Sequence, residues 1–473
     1  MPSARSVAAM TSSPPDPPSS DAPGLGRPAA VPATAPVISA TAALGSTLGT
    51  RVDGGPVGSD DERGGRSCGL VGTVREPSRE RDAPVASSLR RPETLLLLMA
   101  AAVPLSFATW MALLDNFAIH RAGFTGREIG ILQSIREIPG FLAFGVVLLL
   151  PLIREQRLAY VSLALLGLGT AATGLFPHAM GLYAVTFVMS VGFHYYETLQ
   201  TSLSLQWIDK ARAPEVLGRL IAAGSFASIV AFALVWLAFE RLALDFVWVY
   251  AIGGGATAAI ALFCARAFRH FPENVVQHRH IVLRGRYWLY YALVFMSGAR
   301  RQIFVVFAGF LMVEKFGYPV SAMALLFLVN ALANIWLAPK IGRLITRVGE
   351  RTALIAEYIG LIGIFTAYAF VENATVAAAL YVADHLFFAL AIAIKTYFQK
   401  IADPADIAST AGVSFTINHV AAVALPVLFG SLWLVSPSAV FLVGAAMAGI
   451  SLLLSLNVPR APMPGRETMY GRP

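Results

Sequence analysis

From Thr94 to Asp115 the chain reads TLLLLMAAAVPLSFATWMALLD, and between Leu95 and Leu114 it runs for 20 residues without a charge. A bilayer core about 30 Å thick needs roughly 20 apolar residues in one helix. This stretch therefore has the length and composition of a membrane span, and it decides the fold because it recurs. Moving outward with the same ruler, apolar runs follow near 128–152, 158–176, 179–206, 216–239 and 245–265. After a polar interval they resume near 287–313, 319–338, 353–371, 374–398, 409–433 and 437–457. Charge or turn residues mark the breaks, as at Arg154 to Arg157, Phe176-Pro177-His178, Asp209 to Arg219 and Pro437. The expected fold class is an all-α integral membrane protein with about twelve transmembrane helices.

Composition agrees. Of 473 residues 56% are hydrophobic and 14% charged, too little charge to cover a soluble surface. The formal net charge of +8 invites a nucleic-acid reading. That reading fails on position, because the cations sit in short connections between apolar runs, where they report orientation. One set of connections holds Arg90, Arg91, Arg154, Arg157, Lys210, Arg212, Arg219, five arginines between Arg266 and Arg286, Lys340, Arg343, Arg347, Arg351, Lys400, Arg460 and Arg466. The alternate set holds only Arg121, Arg127, Arg241 and Lys315. Such asymmetry places both termini on the cytoplasmic side of a multi-pass protein, expected in a bacterial-type cytoplasmic (inner) membrane. The two cysteines, Cys68 and Cys264, support no disulfide framework.

Five regions are expected. Residues 1–90, rich in Pro, Ala, Ser and Gly, lack periodic apolar residues and should be disordered, and they carry no signal-peptide core. Residues 91–265 form one six-helix bundle, 266–286 a basic linker, 287–458 a second six-helix bundle and 459–473 a tail. The halves repeat at an offset near 190–194: Gly123-Phe124-Thr125 matches Gly317-Tyr318-Pro319, and Pro214 matches Pro404. This agreement points to internal duplication and to two pseudo-symmetric bundles.

Between the eighth and ninth runs the chain reads GRLITRVGERT, Gly342 to Thr352. This resembles the loop signature of the major facilitator superfamily, with Gly342, Arg347, Gly349 and Arg351 in place and Thr346 where the family usually has an acid. The first-half counterpart, Ile153 to Arg157, keeps only the basic character. The resemblance implies a cytoplasmic gate in which the glycines allow close helix packing and the charges pair across the face. Span five shows no match to the Gly-Pro-rich motif of multidrug antiporters.

Ionisable residues inside a bilayer are functional candidates by default. Arg300 and Arg301 lie near the middle of the seventh run, and about 100° of helical rotation separates neighbours, so they cannot both face one small ligand. One is expected to face a cavity and the other to pair with an acid on a neighbouring helix. Arg136 and Glu137 occupy the second run, His194 and Glu197 one face of the fourth, Asp384 and His385 the tenth, Asn418 and His419 the eleventh. Under the repeat, His194 corresponds to Asp384 and Arg136 to Asn330. The expected solute contacts are Arg136, His194, Glu197, Arg300, Arg301, Asp384 and Asn418; the proton-coupling candidates are Glu137, Glu197, Asp384 and His385. Structural pairing of Glu137 with Arg136, or of Glu197 with Arg300, is the competing account. His270, His278 and His280 lack ligand-type spacing, and no metal, cofactor or catalytic residue is expected.

Together these features point to a secondary transporter that moves a small solute, favouring an anion because of the arginines, by alternating access with proton coupling. The expected partners are that solute and the lipid bilayer, with no nucleic acid, and a monomer suffices. The alternatives are a membrane-embedded transferase-type enzyme and a transporter-like sensor. A transferase would carry an acidic motif in a sizeable surface loop, and the longest inner loop here has the single acid Glu273. No phosphate-cradling GxxxxGK[ST] loop suggests an ATP-driven pump.

Overall fold

The computed structural model describes residues 91–143, 145–208, 213–272, 283–403 and 406–469. The expectations for the N-terminal tail, most of the basic linker, Lys210, Arg212, Pro404 and the last residues of the chain fall outside this set. Among the described residues the structure is helical, and helices stand at all twelve expected places. Spans one to six are Pro92–His120, Gly126–Phe141 with its continuation Gly145–Leu149, Glu155–Thr173, Ala179–Trp207, Ala213–Glu240 and Phe246–Ala267. Span seven is a composite of Gly285–Tyr287, Trp288–Gln302, Ile303–Ala308 and Gly309–Glu314. Span eight is Val320–Val348 and span nine Glu350–Phe370. Span ten is Ala374–Phe388, Ala389–Ala391 and Ile392–Ile401; spans eleven and twelve are Ile407–Trp433 and Pro437–Leu456.

Among the described residues, nine stretches are long and apolar enough to cross a membrane by composition. The second, third and fourth spans fall short: the second is interrupted after Phe141, and the third and fourth carry more polar residues. Many large apolar side chains, such as Leu168, Phe226, Trp248 and Leu453, face outward. In water such a surface would aggregate, whereas in lipid it is the required covering.

The duplication is visible in the backbone. Gly123 and Gly317, 194 residues apart, both adopt positive φ, 66° and 63°. That left-handed turn favours glycine because a Cβ would strain it. Each turn closes with the same bond: Phe124 N–H donates to Ala118 O at 2.9 Å, and Tyr318 N–H to Met312 O at 3.1 Å. After the first turn, Thr125 caps span two in a reciprocal box with Glu128; after the second, Pro319 precedes span eight.

Helix packing repeats as well. Span one lies against five and six, and span seven against eleven and twelve; span three lies against six, and nine against twelve. The two bundles meet along two seams that exchange under the repeat, span two with eleven and span five with eight. At the first seam the backbones approach closely. A Cβ on Gly130 would strike the Pro426 carbonyl and one on Gly126 the Trp433 side chain, so glycine is needed at both places. The second seam carries a stacked Phe232–Phe327 pair, 5.3 Å between centroids.

At the arginine-rich end, the bonds run within bundles. Glu155 accepts from Gln206 at 2.8 Å, and Glu350 binds Lys400 at 2.6 Å. Gln206 and Lys400 stand 194 residues apart, so this is one latch built twice. Asp406 accepts bonds from Arg284 and Arg286 at 3.1–3.3 Å, and the Arg284 bond holds its carboxyl below the usual range.

Candidate functional site between the two bundles

Pro139 cannot donate to the carbonyl of Ile135, and the first segment of span two ends two residues later, at Phe141. Just before the proline, Arg136 and Glu137 form an ion pair. The Arg136 guanidinium lies over Phe107 and Trp110 of span one, 5.9 and 6.0 Å from the ring centres. Ser190 of span four donates to the Arg136 carbonyl. From the opposite bundle His419 brings Nε2 to 3.6 Å from Glu137 Oε2. His194 Nδ1 stands 3.8 Å from Glu197 Oε2, and the His194 and His419 rings meet edge to face at 5.2 Å. Arg136, Glu137, His194, Glu197 and His419 are each less than a tenth exposed. Gly140 makes room for them, since a Cβ there would overlap both imidazoles.

The adjacent arginines of span seven have separate surroundings. Arg300 is 1% exposed and pairs with Glu357 of span nine at 2.8 Å. It reaches toward Ser451 of span twelve at 3.4 Å and lies over the Tyr358 ring at 4.9 Å. The acid that engages Arg300 is thus Glu357, not Glu197, and it belongs to the same bundle. Arg301 points elsewhere, into the electrostatic neighbourhood of Glu137, Glu197 and Arg136 across the seam. Its guanidinium makes no hydrogen bond or ion pair among the described residues, and its Nε is buried without a partner. A six-residue π-helix, Ile303–Ala308, begins two residues after Arg301. Such widened turns recur at functional sites.

A third polar group lies at the second seam. The Asn330 amide and His385 Nδ1 are 3.0 Å apart, with the His385 ring 4.9 Å from Phe304. Asn330, Asn334 and His385, with Phe107, Phe232 and Phe327, line a small cavity of about 20 Å³ that is partly open. Asp384 is buried near Arg300 and Glu357, inside the second bundle and away from the seam group. Asn418 packs at Gly298 of span seven. The structure therefore gathers Arg136, Glu137, His194, Glu197 and Arg301 into one group and separates Arg300 and Asp384 from it.

Two acids, the buried Glu357 and the half-buried Asp115, escape the sequence reading. Glu357 is the detectable case: it is an acid in the middle of an apolar run, by the rule that singles out Glu137. Asp115 falls just past the end of the first apolar run, but the helix continues to His120 and sets its carboxylate against Gly309 of span seven. Many buried polar atoms near the seam have no protein partner, among them Gln133 Oε1, His194 Nδ1 and both amide atoms of Gln302. Buried polar atoms are normally satisfied, so those between the bundles leave places for water or a ligand, as do others farther from the seam such as Thr170 Oγ1 and Tyr250 Oη.

The loop at Gly342 to Thr352 differs in part from its expected gate geometry. Gly349 has φ 82° between two helices and must be glycine. Gly342, however, has open space where a Cβ would stand, so it mediates no close packing here. Thr346, in the acid's place, bonds back to Gly342 O at 3.0 Å. Arg347 is exposed, and Arg351 lies beside Met469. The acid of the loop is supplied one turn later by Glu350, on Lys400.

Residues 95–426 match the profile of the Major Facilitator Superfamily, and the chain belongs to that family. Solved transporters share the fold. The nucleoside transporter NupG superposes with a TM-score of 0.63 at 15% identity, covering 77% of this chain and 97% of that one. A bacterial homolog of the human lysosomal transporter Spinster, inward-facing and occupied, gives 0.61 at 12% identity over 79% and 95%. A POT family transporter in complex with 5-aminolevulinic acid gives 0.60 at 12% over 78% and 97%. No curated protein is matched by sequence. The chain is an integral multi-pass membrane protein and a transporter of small solutes across the bilayer, not an enzyme, so the transferase alternative falls.

Proposed function

We propose that this transporter carries a small anionic solute through the seam between its two bundles by alternating access, coupled to protons. The observation that carries this reading is Arg301, a cation at the seam whose guanidinium has no protein partner among the described residues. Arg301 is half-buried, with its Nε enclosed and unpartnered, so its head group opens on the space between the bundles, where an anion can reach it. A carboxylate or phosphate binds such a fork in bidentate fashion. Arg136, paired with Glu137 beside the seam, supplies a second contact. His194, Glu197 and Asn418 complete the solute group, while Arg300, matched by Glu357, holds the second bundle together.

Glu137, Glu197 and His385 are the proton-carrier candidates at the seams, and Asp384 is one within the second bundle. Protonating Glu137 releases Arg136 for the solute, which links the two events. The cation asymmetry of the loops supports cytoplasmic termini and an inner-membrane location. In that orientation the arginine-poor end, where Gly126 meets Trp433, is the outer one, and the glycine contacts there favour a state closed to the outside. A single chain contains both bundles and suffices for the cycle.

The test is uptake of a panel of carboxylates and phosphates by purified protein in liposomes. Arg301→Gln strongly reduces the uptake seen with wild type and leaves the fold intact, and acidifying one side drives uptake. Unchanged uptake by Arg301→Gln would sink the anion site.

A further inference from the structure

Glu137, His194 and His419 each present a ligand-type atom, and these atoms all lie within 4.8 Å of one another. All three residues are buried, and they come from spans two, four and eleven, so the set bridges the bundles. Yet the three make no hydrogen bond among themselves: His419 Nε2 stops 3.6 Å from Glu137 Oε2, and His194 Nδ1 has no partner. A pair of imidazoles and a carboxylate that converge without bonding leave a gap between electron-pair donors. The outer contacts are also of the kind that orients metal ligands. His419 directs Nδ1 at the Phe415 carbonyl at 2.8 Å, which fixes that nitrogen as donor and leaves Nε2 with its lone pair toward the gap. The second carboxylate oxygen of Glu137 is held by Arg136.

We infer that Glu137, His194 and His419 form a site for a divalent transition-metal ion of the zinc class, which pins the two bundles together. Two nitrogens and one oxygen suit zinc or cobalt, whose bonds of about 2.0–2.2 Å place tetrahedral ligand atoms roughly 3.4 Å apart. The present spacing needs only side-chain adjustment to reach that. Because His419 belongs to one bundle and the other two ligands to its opposite, a bound ion holds the seam shut, and transport stops. The site goes beyond the anion reading and does not depend on it. Arg136 and Arg301 are formally balanced by Glu137 and Glu197, so an entering divalent ion leaves the seam positive. Its open coordination position is therefore one for water or an anion.

The experiment titrates Co²⁺ into the purified, untagged full chain and records visible absorption and melting temperature. Wild type is expected to give the intense bands of tetrahedral cobalt at one ion per chain, a raised melting temperature, and displacement by Zn²⁺. His194→Ala and His419→Ala each weaken binding more than about 100-fold; His385→Ala, at the other seam, does not. Melting without metal shows that each variant is folded, and Glu137→Gln serves as the third ligand test where an alanine variant is not. Arg301→Ala tightens Co²⁺ binding by removing a nearby cation, even though it ends the response to anions. The absence of cobalt bands at millimolar Co²⁺, or bands that persist in folded His419→Ala, would overturn the site. Failure of the anion reading alone would leave the cobalt result unchanged.

Discussion

Arg300 and Arg301 are neighbours in the chain and opposites in the fold. The group around Arg300 lies within one bundle and its charge is paired: Glu357 takes it, Tyr358 covers it, and Ser451 stands beside it. Glu357 Oε2 and the Tyr358 hydroxyl keep no hydrogen-bond partner among the described residues. The group around Arg301 straddles two bundles and is incomplete, with a cation, two imidazoles and two carboxylates lacking a full set of partners. The difference separates what holds a bundle rigid from what leaves a seam free to rearrange. Alternating access needs both, since rigid bodies can rock only about a contact that is not locked.

The largest effect should come from breaking the paired group. Arg300→Ala or Glu357→Ala leaves a buried charge alone and should cost roughly 3–5 kcal/mol. Thermal melting in detergent would register this as a large loss, and the double change Arg300→Met with Glu357→Leu should recover most of it. A silent single variant would erase the distinction between the two groups. Next comes the open group: Arg301→Gln should keep the melting temperature near wild type while weakening anion binding roughly 10- to 100-fold, the worth of one or two charged hydrogen bonds.

A smaller effect tests the seam itself. Gly130→Val places a side chain against the Pro426 carbonyl and should force the seam apart at its arginine-poor end. In a background lacking Cys68 and Cys264, a cysteine at Ser228 in the cavity should then label faster with an impermeant maleimide. Equal labelling rates would mean that the glycine contact does not close that end. The smallest effect is at the arginine-rich end. Asp406 titrates below its ordinary value, so its contribution is present above about pH 4 and is lost only as pH falls through the lowered value. Asp406→Asn should therefore lower the melting temperature slightly and by the same amount from about pH 5 to 8. Any pH dependence of transport in that window therefore does not come from Asp406.

Much of this fold is legible in the sequence because lipid imposes a simple rule on composition. Ten of the twelve apolar runs fall within about three residues of the observed helix ends, while the helices of spans one and eight run on to His120 and Val348, past runs expected to end at 114 and 338. Gly123 and Gly317 mark the repeat through a backbone need that a glycine pair can announce. The site is only partly legible. Sequence can say that Arg300 and Arg301 face different ways, but not which way, because that depends on how span seven is rotated against spans nine and eleven. The pairing of Arg300 with Glu357 and the meeting of Glu137 with His419 join residues 57 and 282 positions apart. No local spacing encodes contacts of that kind. Asp115 is easily misread because a carboxylate looks like the end of a run, whereas the helix runs on past it and sets it, half-buried, against span seven.

The central claim is that the seam around Arg301 receives an anion, and its most direct measurement is anion-dependent melting of purified protein across a panel of carboxylates and phosphates. A ligand that favours the folded state raises the melting temperature. Wild type should be stabilised by at least one member of the panel, and Arg301→Gln, equally folded, should not respond to it. A wild type that no anion stabilises, or an Arg301→Gln variant stabilised as strongly as wild type, would contradict the claim.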